Sequence, residues 1–111
     1  MSYTVKIRPQ VREFVRSLGL EDRRAVKAAL QGLAAEGGDI RALQDDLAGF
    51  YRLKVGRFRI ILRYRPGKQV ECVFAEERKL IYEIFESELG RILGERPARY
   101  GRRRPRAQRT S

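Results

Sequence analysis

The stretch Phe50-Tyr51-Arg52-Leu53-Lys54-Val55-Gly56-Arg57-Phe58-Arg59-Ile60-Ile61-Leu62-Arg63-Tyr64-Arg65 decides how this chain folds. Its apolar residues recur at every second position, first Tyr51, Leu53 and Val55, then Phe58, Ile60, Leu62 and Tyr64, which is the period of a strand with one buried face. Gly56 separates the two runs and makes a tight connection, so the segment is predicted to be an antiparallel hairpin. Successive side chains of a strand point to opposite faces, which sends Arg52, Lys54, Arg57, Arg59, Arg63 and Arg65 to the side away from the apolar one. Like charges on neighbouring strands repel, and no acidic residue interrupts residues 50–65. The pattern therefore needs a counter-charge, and a phosphate-binding face is the expectation for Arg52, Lys54, Arg57 and Arg59.

The flanking sequence supplies the cover for the apolar face. Upstream, Tyr3, Val5 and Ile7 alternate with polar residues as a half-buried strand that Pro9 closes. Val11, Phe14, Val15 and Leu18 then follow helical spacing up to Gly19, predicting a helix over 9–18. Val26, Ala29, Leu30 and Leu33 make a second stripe, with Glu21 and Asp22 in the first turn, where the helix dipole favours anions, and Gly37-Gly38 at the end. Residues 39–49 read as a loop with room for a helical turn, anchored by Ile40, Leu43 and Leu47. Downstream, Pro66-Gly67 is a turn, Val70, Cys72 and Phe74 a third strand of the meander, and residues 80–85 a fourth; 86–93 hold at most a short amphipathic helix. The expected fold class is α+β, in the order β-α-α-β-β-β(-β): an antiparallel sheet with two N-terminal helices on one face and an optional short C-terminal helix.

Composition narrows the chemistry. The 111 residues suffice for one domain, expected over 1–94, and the Pro-, Gly- and Arg-rich stretch 95–111 is expected to be a disordered basic tail. The excess of 25 Lys+Arg over 14 Asp+Glu gives +11 and a pI near 10.6. Without the tail, 18 basic and 13 acidic residues still leave +5, so the folded part is itself basic and a polyanion is the first partner to consider. No apolar run reaches the length that spans a bilayer, so no membrane association and a cytoplasmic location are expected. Histidine is absent and Cys72 is the single cysteine, read as a buried small hydrophobe. Neither an intrachain disulfide nor a cysteine-built zinc site can form, and no metal or small-molecule cofactor is expected. Tyr51 and Tyr64 are in phase with the buried face and read as core.

The segment Leu47-Ala48-Gly49-Phe50-Tyr51-Arg52-Leu53-Lys54-Val55-Gly56-Arg57-Phe58-Arg59-Ile60 resembles the Leu-x-Gly-x-Tyr-Arg-Leu-(Arg/Lys)-x-Gly-x-(Tyr/Phe)-Arg-(Ile/Val) motif of RelE/ParE toxins of type II toxin-antitoxin systems. Residues 73–85 are similar to that family's last strands. The resemblance covers about residues 1–93. It implies one of two activities: ribosome-dependent endonucleolytic cleavage of mRNA, as in the RelE-like branch, or non-enzymatic inhibition of DNA gyrase, as in the ParE-like branch. A third possibility is a decayed toxin that only binds antitoxin or RNA.

For the RelE-like reading, the resemblance implies attack of a 2′-hydroxyl on the adjacent phosphate with departure of the 5′-oxygen. That chemistry needs a base, an acid and cations for the charge that builds on phosphorus. The implied catalytic residues are Lys54, Arg59, Tyr82 and Arg52. Lys54 is the candidate base because neighbouring cations disfavour the protonated ammonium, and Tyr82 matches a late tyrosine that stacks on a base or assists proton transfer. The implied RNA-binding set is Arg52, Lys54, Arg57, Arg59, Arg78 and Lys79. Two departures stand out. Arg52 occupies a position where the RelE-like enzymes often carry lysine, and an arginine there binds phosphate but is too basic to act as a base. Glu76 falls near a catalytic arginine of the family, with Arg78 and Lys79 as shifted substitutes. The partners implied are a cognate antitoxin with an acidic amphipathic segment, and the ribosome with its mRNA or, in the other branch, gyrase.

Overall fold

Tyr3, Val5 and Ile7 place three apolar side chains on one face of β1 (Thr4–Ile7), and the chain then turns into a helical hairpin. The computed structural model describes residues 2–77 and 81–93, in the order β1, α1 (Pro9–Arg16), α2 (Leu20–Gly32), β2 (Asp39–Ala42), β3 (Tyr51–Val55), β4 (Phe58–Arg65), β5 (Gln69–Glu76), α3 (Ile81–Ser87) and α4 (Leu89–Leu93). Pro9 starts α1 because its fixed φ suits a first helical position, which has no helical use for an N–H. Glu21 and Asp22 sit in the first turn of α2, as expected, and a single 3-10 turn, Leu33–Ala35, extends it. The predicted tail, 95–111, lies outside the described residues, as do Arg78 and Lys79.

Five strands form one sheet in the order β1-β5-β4-β3-β2. The hairpin β3–β4 pairs as predicted, with Leu53 opposite Ile60 and Lys54 opposite Arg59. The α+β class and the two helices on one face are as expected, and three details differ. The sheet is mixed, because β1 runs parallel to β5. Residues 39–42 form an edge strand instead of a loop. Gly38, at φ +103°, allows this, since a Cβ there would come within 2.9 Å of Leu53 Cδ1. Residues 81–87 are helix α3, whereas a fourth meander strand was predicted over 80–85. Ile81, Phe85 and Leu89 are spaced by four residues, and they seat on the sheet face that the first two helices leave bare.

That bare face explains the third difference, and it shapes the site. Tyr51, Leu53, Phe58, Ile60, Leu62, Val70 and Cys72 form the main core with Val11, Val15, Val26, Leu30 and Leu33. A bulge then interrupts β5: Ile61 is opposite Phe74 but Leu62 is opposite Cys72, leaving Val73 as the extra residue. Phe74 consequently leaves the face of Cys72, with which its alternation had grouped it. It joins Phe50, Ile61 and Val73 under Ile81, Phe85 and Leu89 in a second cluster on the opposite side. The edge-to-face contact of Phe50 with Phe85, centroids 5.1 Å apart, is part of this seal.

Candidate nucleic-acid interface

The face opposite α1 and α2 carries the cations, but it is neither uniformly open nor uniformly cationic. Across the hairpin end of the sheet the register places Asp39, Lys54, Arg59 and Glu76 side by side on β2, β3, β4 and β5. Residues opposite one another in a sheet project to the same side, with Cβ atoms about 5 Å apart. Lys54 and Arg59 thus form the cationic centre of this row and the two carboxylates its ends. Among the described residues no ion pair or side-chain hydrogen bond engages Lys54 or Arg59; Lys54 is exposed and Arg59 half-buried.

The other predicted cations are placed differently. Arg52 lies on the same face as Lys54, but its side chain is only 13% exposed and its NH1 is 3.3 Å from Asp39 Oδ2. Arg41 approaches the other oxygen of that carboxylate at 3.6 Å. Arg57 is not on the open face. It sits in the turn between β3 and β4, stacks on Phe58, and joins Asp22 of α2 at 2.9 Å to Glu77 at 2.7 Å. The alternation assigned Arg57 to the strand, but a turn residue is not bound by the pleat, and two carboxylates draw it aside. Arg63 lies against the Phe50 ring with Nε 2.8 Å from Glu71, and Arg65 is more exposed, nearer the next turn. Tyr82 stands on α3, partly buried against the second cluster. Lys54, Arg59 and Arg52 are therefore brought onto one face, and Arg57 departs from it.

Two acidic residues shape the site that sequence patterning did not bring to it. Asp39 partners Arg52 from the edge strand β2, for which the sequence signal is slight, an apolar Ile40 after Gly37-Gly38. Glu76 faces Arg59 across the β4–β5 pair. Farther along the face, burial by itself would raise the Glu71 carboxyl. Hydrogen bonds from Arg63 and Arg8 outweigh it and hold the carboxyl below its ordinary value. Burial pushes the Cys72 thiol up to about 12, which leaves it without nucleophilic thiolate at neutral pH. Tyr64, edge-on to Tyr3 and Tyr51 and facing Glu36, has its phenol raised by burial and then by that carboxylate. Both predicted core tyrosines, Tyr51 and Tyr64, pack against the main cluster.

Comparison with known proteins adds the fold's relatives. No protein-family model matches the chain, and no curated protein matches it. Solved structures do. The toxin-antitoxin complex RelBE2 from Mycobacterium tuberculosis aligns with a TM-score of 0.63 and 23% identity over 70% of this chain and 100% of that one. The RelE-RelB complex from Pyrococcus horikoshii gives 0.59 and 25% identity over 71% and 98%. A mutant of the E. coli toxin RelE in the free state gives 0.63 and 18% identity over 83% and 99%. These alignments span essentially the whole of each relative. This chain therefore has the fold of the RelE toxins.

Proposed function

We propose that this protein is the toxin of a type II toxin-antitoxin pair and acts as a ribosome-dependent endonuclease on mRNA, with no metal. The observation that carries the reading is the juxtaposition of Lys54 and Arg59, in register on adjacent strands and without an ion-pair partner among the described residues. A phosphodiester laid across this pair brings its non-bridging oxygens to two cations. Lys54 takes the proton of the 2′-hydroxyl, the 2′-oxygen forms its bond to phosphorus, and the bond to the 5′-oxygen breaks. The products are a 2′,3′-cyclic phosphate and a 5′-hydroxyl, whose proton comes from solvent water. Arg59 stabilises the charge on the phosphorane, and Arg52, anchored by Asp39, stiffens the platform below. Tyr82 offers a ring for a base to stack on. Incubation with programmed ribosomes followed by primer extension is expected to reveal new mRNA ends; intact message at growth-inhibiting doses would reject the nuclease.

A second reading, a toxin that binds gyrase or RNA without cleaving, is favoured by Glu76, whose carboxylate in line with Arg59 disfavours a second anion there. Dose-dependent arrest of gyrase supercoiling that survives Lys54→Ala would select it.

An antitoxin partner is supported by those relatives that were solved as toxin-antitoxin complexes. Beside β1, a groove of about 310 Å³ has Ile7, Val15 and Leu30 along its floor and Arg12, Arg16, Arg23 and Lys27 on its rim. Arg23 Nε is buried there without a hydrogen-bond acceptor. An acidic amphipathic antitoxin segment complements both the floor and the rim.

A further inference from the structure

The turn between β3 and β4 consists of Gly56 and Arg57, set between the paired Val55 and Phe58. Gly56 takes φ +59°, a conformation that two-residue hairpin turns require at their first position. Arg57 follows it, and its side chain is drawn to the helical side of the sheet. Its guanidinium is 2.9 Å from Asp22 Oδ2 of α2 and 2.7 Å from Glu77 Oε2, just after β5, and it lies 4.6 Å from the centre of the Phe58 ring. Two carboxylates from different elements thus hold one guanidinium away from the face of Lys54 and Arg59.

The hold is weak by its nature. The side chains of Arg57, Asp22 and Glu77 are 59%, 38% and 51% exposed, and ion pairs or ring contacts so open to solvent contribute little each. A phosphate is a stronger partner, because the planar guanidinium fork matches its paired oxygens in a charge-assisted contact. Geometry allows the exchange. Arg57 precedes Arg59 by two residues, about 7 Å along an extended strand, so a freed Arg57 side chain reaches the side on which Arg59 projects. Rotation about side-chain bonds is enough, and the ladder pairs of Lys54 with Arg59 and of Val55 with Phe58 stay as they are.

We propose that Asp22 and Glu77 form a latch on Arg57, and that single-stranded RNA bound at Lys54 and Arg59 opens it by drawing Arg57 onto a neighbouring phosphate. The inference rests on the nucleic-acid reading of the Lys54–Arg59 pair and adds a regulation of that site. With the latch closed, two carboxylates stand beside the cationic pair and oppose a polyanion; with it open, the face gains a third phosphate contact. Asp22 and Glu77 therefore set how tightly RNA is held. Neutralising any carboxylate beside a basic face raises its affinity for a polyanion, so the latch is distinguished by the part of the gain that requires Arg57.

The test is fluorescence anisotropy with a labelled single-stranded dodecanucleotide RNA on four full-length proteins: wild type, Asp22→Asn/Glu77→Gln, Arg57→Gln, and the triple variant. Thermal melts check that each folds, and Glu77→Gln alone, which leaves α2 intact, replaces the double variant if that one does not. Asp22→Asn/Glu77→Gln is expected to bind roughly fivefold more tightly than wild type, because Arg57 no longer has to be pulled from its partners. Its plot of log affinity against log salt should steepen by about 0.7, the increment for one single-strand phosphate contact. In the Arg57→Gln background the same two substitutions should raise affinity by less than about twofold, with the salt slope unchanged. An equal gain in both backgrounds means that the carboxylates act only by repulsion, and overturns the latch. So does wild-type affinity in Asp22→Asn/Glu77→Gln. Wild-type protein that binds no RNA overturns the latch and the nucleic-acid reading together.

Discussion

Lys54 and Glu71 are cationic and anionic residues on one sheet face, and their surroundings give them opposite tasks. Lys54 is exposed and structurally idle, so Lys54→Ala should leave stability within about 0.5 kcal/mol of wild type. On the proposed nuclease reading, in which Lys54 accepts the proton, the same substitution should slow cleavage on programmed ribosomes by roughly 100-fold or more. An active Lys54→Ala protein would remove lysine from the mechanism. Glu71 holds Arg8 and Arg63, and its carboxyl titrates below the ordinary 4.5. A group depressed in the folded state lends stability above its unfolded value, and that stability is lost as the pH falls through the folded one. Glu71→Gln should therefore cost roughly 1–3 kcal/mol at neutral pH, with the gap from wild type closing as the pH drops below about 4.5. Urea melts over a pH series measure this; a gap independent of pH would mean that packing, not charge, sets the effect.

At the scale of elements, α3 is a helix where the periodicity predicts a strand. Residues 80–85 are almost all apolar, and a short apolar run satisfies periods of 2 and 3.6 alike. The deciding factor lies elsewhere in the chain. The β5 bulge turns Phe74 toward the face opposite the N-terminal helices, and Phe50, Ile61, Val73 and Phe74 need a cover that a helical stripe of Ile81, Phe85 and Leu89 supplies. Phe85→Ala should accordingly cost about 3 kcal/mol or more. Hydrogen exchange should show α3 losing protection well before β4 and β5, because the second cluster is separate from the main core. Equal loss of protection in all three would show that the two clusters unfold as one unit.

For the whole molecule, a +11 chain meeting an acidic partner should associate at a rate set largely by electrostatic steering. The association rate with the cognate antitoxin is expected to fall roughly tenfold from low to physiological salt. Lys27→Glu, on the rim of the groove beside β1, should slow it further; stopped-flow mixing measures both. A rate indifferent to salt and to Lys27 would place the antitoxin elsewhere.

Alternation in 50–65 determined by itself the hairpin, its buried face and the direction of Lys54, Arg59 and Arg52, because the pleat of a strand is a local rule that every residue in it obeys. Helical spacing likewise determined α1 and α2. Tertiary structure alone decided which cations remain available: Asp39 reaches Arg52 only because an edge strand forms beside β3, and Arg57 leaves the face because Asp22 and Glu77 lie near its turn. It also decided the parallel pairing of β1 with β5 and the helix over Phe74. Strand partners, ion-pair partners and the cover of a sheet face all depend on residues far apart in the chain, and a periodicity read within a window carries no information about them.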